Sequence, residues 1–143
     1  MSRQQILRFV AWAAAVAVGF FVFLWIGFAV QSSRAWHAGE KAFAEGNETA
    51  ALADFERSIR NHCPLNVWGK RSASRLRSMA EEYESKGEIE RAIEAYERLM
   101  TALAATDTGW SRSRRATIEQ LEQRIMTLRR ERKSKSASPL EKR

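Results

Sequence analysis

Residues 9 to 30 read FVAWAAAVAVGFFVFLWIGFAV, 22 consecutive positions with no charge and nothing more polar than a Trp. A helix needs roughly 20 apolar residues to cross about 30 Å of hydrocarbon, and inside lipid it satisfies its own backbone hydrogen bonds. A core helix this apolar on every side would need a much larger protein around it than 143 residues supply. A secretory leader has a shorter apolar stretch, about 7 to 15 residues, closed by an A-x-A-like cut site. Met1 to Arg8 resembles the basic start of such a leader, but the exit Ala29-Val30-Gln31-Ser32-Ser33 carries no such site. Residues 1–31 are therefore read as an uncleaved single-pass anchor, with the lipid bilayer as its first partner.

Orientation is nearly balanced. Arg3 and Arg8 precede the run, while Arg34 and Lys41 follow it closely, so the Lys/Arg count alone does not choose a side. The free N-terminal amine tips the reading towards a cytoplasmic N-terminus. The trailing domain is then periplasmic, attached to a cell inner membrane.

Beyond the anchor the chain turns charged and alanine-rich. Its two prolines are Pro64 and Pro139, and no stretch alternates in the β-strand manner. The fold class is all-α. The spacing predicts helices near 3–31, 33–45, 48–61, 67–86, 88–104 and 112–132, and nothing between Val30 and Arg34 prevents the first two from running on as one. The net charge of +7 is unevenly placed: residues 1–110 balance 13 Lys/Arg against 13 Asp/Glu, whereas residues 111–143 carry 11 against 4.

The segment starting at Gly46 can be laid over the one starting at Gly87, 41 residues later. Each Gly is followed by a small residue (Ala51, Ala92), an aliphatic (Leu52, Ile93), an aromatic (Phe55, Tyr96) and a Glu-Arg pair (Glu56-Arg57, Glu97-Arg98). Seven positions before each Gly stands another small residue, Gly39 or Ala80. A Gly able to adopt positive φ ends one helix and starts the turn, and small residues let two antiparallel helices approach closely. This arrangement resembles the tetratricopeptide repeat over roughly residues 32–105. Gly39, Ala51, Phe55, Ser58 and Pro64 carry the resemblance in the first copy, and Ala80, Tyr83, Ala92 and Tyr96 in the second. The departures are Ala42 where an aromatic is expected, with Phe43 one place along, and Leu99 at a small position. The offset also exceeds the family's period of about 34 residues. The resemblance implies two helical hairpins over residues 32–110 whose first helices line a groove for a protein partner. Phe43, Arg75, Met79 and Tyr83 are its candidate lining residues.

After the turn-rich Thr106-Asp-Thr-Gly109, Ile118, Leu121, Ile125 and Leu128 repeat at coiled-coil spacing. Two heptads are too short for an independent coiled coil. The segment 111–133 is instead read as an amphipathic helix capping the second hairpin, since repeat arrays need a terminal cover. A basic cluster follows, Arg129, Arg130, Arg132, Lys133 and Lys135, and residues 134–143 are read as a disordered tail. Within the anchor, Ala11, Ala15, Gly19 and Gly27 form a small-residue stripe of the kind that packs against another transmembrane helix.

Signals for chemistry are scarce. There is no Gly-rich phosphate loop or strained Ser nucleophile, and His37, His62 and the solitary Cys63 lack metal-ligand spacing. The expectation is a non-enzymatic chain without cofactor, metal or small-molecule substrate. It would be a membrane-anchored interaction module, an accessory or scaffold subunit of a bacterial inner-membrane complex, with other membrane-protein subunits as partners. The alternative is a cytoplasm-facing tether whose basic tail binds anionic lipid or nucleic acid. No aromatic is interleaved with that tail, which gives nucleic acid little support.

Overall fold

A computed structural model describes residues 3–61, 67–106 and 112–137, with side chains described from residue 12 to residue 135 within those ranges. The described residues form five helices and no strand: α1 (Arg3–Ala44), α2 (Glu48–Arg60), α3 (Val67–Ser85), α4 (Ile89–Ala105) and α5 (Arg112–Ala137). The all-α expectation is met. Pro64, Cys63, His62 and Trp110 lie outside the described residues.

One helix boundary that the sequence leaves open is absent, and a second differs from the sequence reading. The apolar run and the helix after it are a single rod of 42 residues, α1, because Gln31-Ser32-Ser33 contains no proline or glycine and Ser32 bonds across to α2. The division at residue 31 is thus no break in the backbone. α5 also continues to Ala137, so residues 134–137 of the expected disordered tail are helical. Residues 138–143 lie outside the described part.

The C-terminal turns of α1 pack antiparallel on α2, α3 packs on both, and α4 packs on α3 and α2. The two hairpin turns repeat one another bond for bond. Gly46 and Gly87 both have φ +76, the left-handed conformation that ends a helix cheaply only at glycine. In the first turn Asn47 N–H donates to the Ala42 carbonyl at 2.9 Å and Gly46 N–H to Phe43 at 3.1 Å. In the second, Glu88 donates to Tyr83 at 2.9 Å and Gly87 to Glu84 at 3.0 Å. Only the first turn adds a side-chain cap, where Asn47 accepts from Ala50 N–H.

The core is built from the residues that the repeat spacing marks. Ala51, Phe55, Ala80, Ala92 and Leu76 are fully buried, with Met79, Tyr83, Tyr96 and Leu99 almost so. A Cβ at Gly39 would stand 2.7–2.8 Å from the Phe55 ring, which itself packs on Trp36 with centroids 5.4 Å apart. Glycine is needed there for approach, not for backbone freedom. α5 runs antiparallel along α4 and buries Leu121, Ile125 and Leu128 in the same core, with Ile118 half-buried at the seam's start.

One interhelical contact was not legible from spacing. Ser32 on α1 and Ser58 on α2 are both fully buried. The Ser32 hydroxyl donates to the Ser58 carbonyl at 2.9 Å, and the Ser58 hydroxyl donates to the Ser32 carbonyl at 3.0 Å. The Ser58 carbonyl is among the last four of α2, which lack a donor within their own helix. Ser32 therefore closes the end of α2 while bonding it to α1.

Two stability outcomes follow. Gly39→Ala ought to gain up to about 1 kcal/mol of helix propensity, yet overpacking against a ring that cannot retreat costs about 1–3 kcal/mol. The expected net loss is readable as a lowered midpoint of denaturation in detergent, and a raised midpoint would contradict it. Ser32→Ala leaves a buried carbonyl unpaired and is expected to cost about 1–3 kcal/mol in the same measurement.

Candidate interaction site

Two surfaces were singled out by sequence, the apolar stripe of the anchor and the groove between the first helices of the hairpins. α1 holds the single helix, among the described residues, that is long and apolar enough to cross a membrane, and it lies near the N-terminus. From Trp12 to Gln31 every side chain is exposed except half-buried Ala29, and the bulky Phe20, Phe21, Phe23 and Trp12 stand more than 60% open. Nothing lies within 4 Å of a Cβ built on Gly19 or Gly27. The small-residue face is therefore unfilled from within the chain. Of Ala11 only the backbone is described.

The unbroken helix also sharpens the stripe. At about 100° per residue, steps of four drift by about 40°. Ala11, Ala15 and Gly19 therefore fall within an arc of about 80°, whereas Gly27 lies about 160° round from Ala11. The first three can serve one partner helix. Gly27 faces elsewhere, and the single-face reading that included it is corrected.

At the groove, α1 and α3 run parallel and side by side. Trp36 faces Trp68 at 6.3 Å between ring centroids, and His37 approaches the same indole at 5.3 Å. Seven residues further along each helix, Arg75 lies over the Phe43 ring at 4.5 Å and meets Glu40 at 3.4 Å. Between the two contacts lies an open depression of about 400 Å³, lined by Trp36, Val67, Lys70, Arg71, Ser74, Arg75 and Ser78. Of the four groove residues expected, Phe43 and Arg75 are half-buried and meet each other here. Met79 and Tyr83 are only 1% and 4% exposed. They face the core between the hairpins, because their positions point at α2 and α4 rather than at the α1 side. Sequence reasoning missed Trp36, Val67, Lys70 and Arg71 as lining residues. Their signal was weak: an acid-free stretch from Arg57 to Ala80 holding six cations.

The basic cluster at the C-terminal end of α5 is partly neutralised. Arg129 meets Glu97 at 2.5 Å and Arg132 meets Glu90 at 3.5 Å, both on α4. Arg124, one turn earlier, pairs with Glu84 of α3. Arg130 and Lys135 are exposed. Because α5 runs antiparallel to α4, this cluster lies at the end of the hairpins away from the apolar part of α1.

The Ser72 hydroxyl and the Tyr83 hydroxyl are buried without a hydrogen-bond partner, and Tyr96 donates to Glu84 at 3.3 Å. Burial pushes the ionisation of Tyr83 far above the ordinary phenol value, with the Glu48 carboxylate adding to the effect. Burial also raises Tyr96, reinforced by Glu81. No group of three His, Cys, Asp or Glu side chains that could hold a metal ion occurs among the described residues. No protein-family model, curated protein or solved structure matches the chain.

Tyr83 and Tyr96 are the only tyrosines, which makes their titration readable. A folded-state value raised above the unfolded one means that the native state holds its proton longer. The stabilisation is complete below about pH 10 and is lost as pH rises beyond it. Tyrosinate absorbance is expected to appear together with loss of helicity in one cooperative alkaline step. Gradual titration with a midpoint near 10 and intact helicity would contradict the burial.

Proposed function

We propose that this chain is a membrane-anchored protein–protein interaction module built on two tetratricopeptide-like hairpins, and that it acts as an accessory or scaffold subunit of a bacterial inner-membrane complex. The observation that carries this reading is the continuity of α1, which is at once the apolar span and the first helix of the first hairpin. A helix long enough to cross a bilayer and rigidly joined to a packed domain holds that domain at a set height and rotation beside whatever the span packs against. The same continuity supports an anchor over a cleavable leader. Residues 29–35, which would flank a cut, lie in mid-helix, with Ser32 and Ala35 buried against the hairpin.

The tetratricopeptide-like reading is supported by the duplicated turn geometry, by the small residues at the helix crossings and by α5 standing in the place of a further repeat. The hairpin pair offers an interaction surface where α1 and α3 lie side by side. Among the described residues, no arrangement of a nucleophile with a base, and no acid pair set apart from the helix surfaces, supports a catalytic reading. The alternative, a tail that tethers the domain to anionic lipid or nucleic acid, loses support from geometry. The basic cluster lies at the far end from the apolar span and two of its arginines are paired to α4.

The reading is tested by photo-crosslinking in the intact membrane. With a photoreactive side chain at Ala15 or Gly19, a discrete adduct of one size is expected. The same group at Phe21 or Gly27, on other faces, should give little. Uncrosslinked monomer from all four positions, together with only monomer in mild detergent, would overturn the proposal.

A further inference from the structure

The antiparallel order of the helices fixes which end of the domain faces the bilayer, and that end has an unusual composition. This inference rests on the anchored reading above. Val30 is the last residue of the apolar run, so Ser32 lies about 3 Å and Trp36 about 9 Å beyond the hydrocarbon edge along a continuous helix. The headgroup layer is roughly 5–8 Å deep on each side. Ser58 is hydrogen-bonded to Ser32, which places the last turn of α2 inside that layer. Trp68 lies against Trp36 and His37, which places the first turn of α3 at its outer margin.

The side chains there match a headgroup surface. Arg34, Lys70 and Arg71 are exposed, and none pairs with a carboxylate among the described residues; Arg71 instead lies over the Trp68 ring at 5.0 Å. Val67 is 55% exposed beside them. Indoles at a membrane interface together with unpaired cations are the combination that holds a protein to anionic phospholipid. The opposite end of the hairpins is unlike it. It carries Glu45, Glu48, Glu82, Glu88 and Glu90, with much of the compensating positive charge arriving from Lys86, Arg91 and the end of α5.

We propose that the membrane-facing end of the two hairpins, through Arg34, Lys70 and Arg71 flanked by Trp36 and Trp68, is a docking surface for anionic phospholipid headgroups. Headgroup phosphates seat between α1 and α3 and brace the domain against the bilayer from which α1 emerges. The occupant is lipid because the surface is continuous with the span and lies within a Debye length of about 8–10 Å of the headgroups.

The test uses the full chain reconstituted in phosphatidylcholine bilayers with a trace of spin-labelled phosphatidylglycerol or phosphatidylcholine. The readout is the ratio of the two labels' motionally restricted fractions. At low salt the wild type is expected to prefer phosphatidylglycerol, and K70E/R71E to lower that preference at least about threefold. Adding R34E should lower it further, while K133E/K135E in α5 should leave it unchanged. If circular dichroism shows that K70E/R71E has lost helix, K70Q/R71Q replaces it, with an expected fall of at least about twofold. A preference that survives the α3 substitutions, or that falls instead with the α5 pair, overturns the proposal. Absence of any restricted lipid for either label would be a different failure, that of the anchored reading itself.

Discussion

Ser32 and Ser58 exchange hydrogen bonds just beyond the apolar run of α1, and the first hairpin is fastened at that contact. A long apolar helix ordinarily leaves a soluble domain free to swivel about the residues that follow the membrane. Here the helix has no such residues. The backbone passes from Val30 to Phe43 without leaving helical geometry, and α2 is fastened alongside at its lowest turn. Two buried hydroxyls accomplish this without the desolvation cost of an ion pair, and they satisfy a helix-end carbonyl that would otherwise be orphaned. Above them, Trp36 and Gly39 seat the Phe55 ring, so the same face of α1 continues from polar clamp to apolar core.

From that fixed first hairpin the remainder is propagation. The second hairpin reproduces the turn of the first, with Gly87 in the place of Gly46 and the same backbone bonds. The two copies differ where their surroundings differ. Ser58 occupies the small position beneath α1 because it must bond Ser32, whereas its counterpart Leu99 meets α5, which has Leu121, Ile125 and Leu128 to bury. The larger side chain at a nominally small position is thus a response to a capping helix rather than a lapse in the pattern. Stacked helical units bury their faces only against neighbours, and an array this short needs such a cover.

How much of this could be read from residues alone varied with the range of the interaction. Local signals were reliable: Gly46 and Gly87 marked both turns, and the spacing of Leu121, Ile125 and Leu128 marked the buried face of α5. The continuity of α1 was only half legible, because serine at residues 32 and 33 is compatible with either a helix interior or a cap, and the partner that decides between them is 26 positions away. The groove was the least legible. Met79 and Tyr83 came forward because they lie on the first helix of the second hairpin. Membership of that helix does not say which of its faces a residue occupies, and these two are in the core. The residues left open, Lys70 and Arg71 among them, belong to the other face of α3 and follow no repeat.

The distribution of charge in the fold differs from its distribution along the sequence. All of the excess positive charge falls after residue 110 in the sequence, which draws attention to the C-terminal cluster as the binding element. In three dimensions α5 carries that cluster away from the apolar span and lays Arg129 and Arg132 against Glu97 and Glu90. Exposed pairs of this kind add little stability each, but they offset the acidic turns of the hairpins locally. At the end of the domain nearest the apolar run, Arg34, Lys70 and Arg71 are exposed and stand without carboxylate partners among the described residues. A surface attracts an anion through the charge it has left unpaired, so the place of a cation in the fold, and not the net charge of its stretch of sequence, decides what it can contribute.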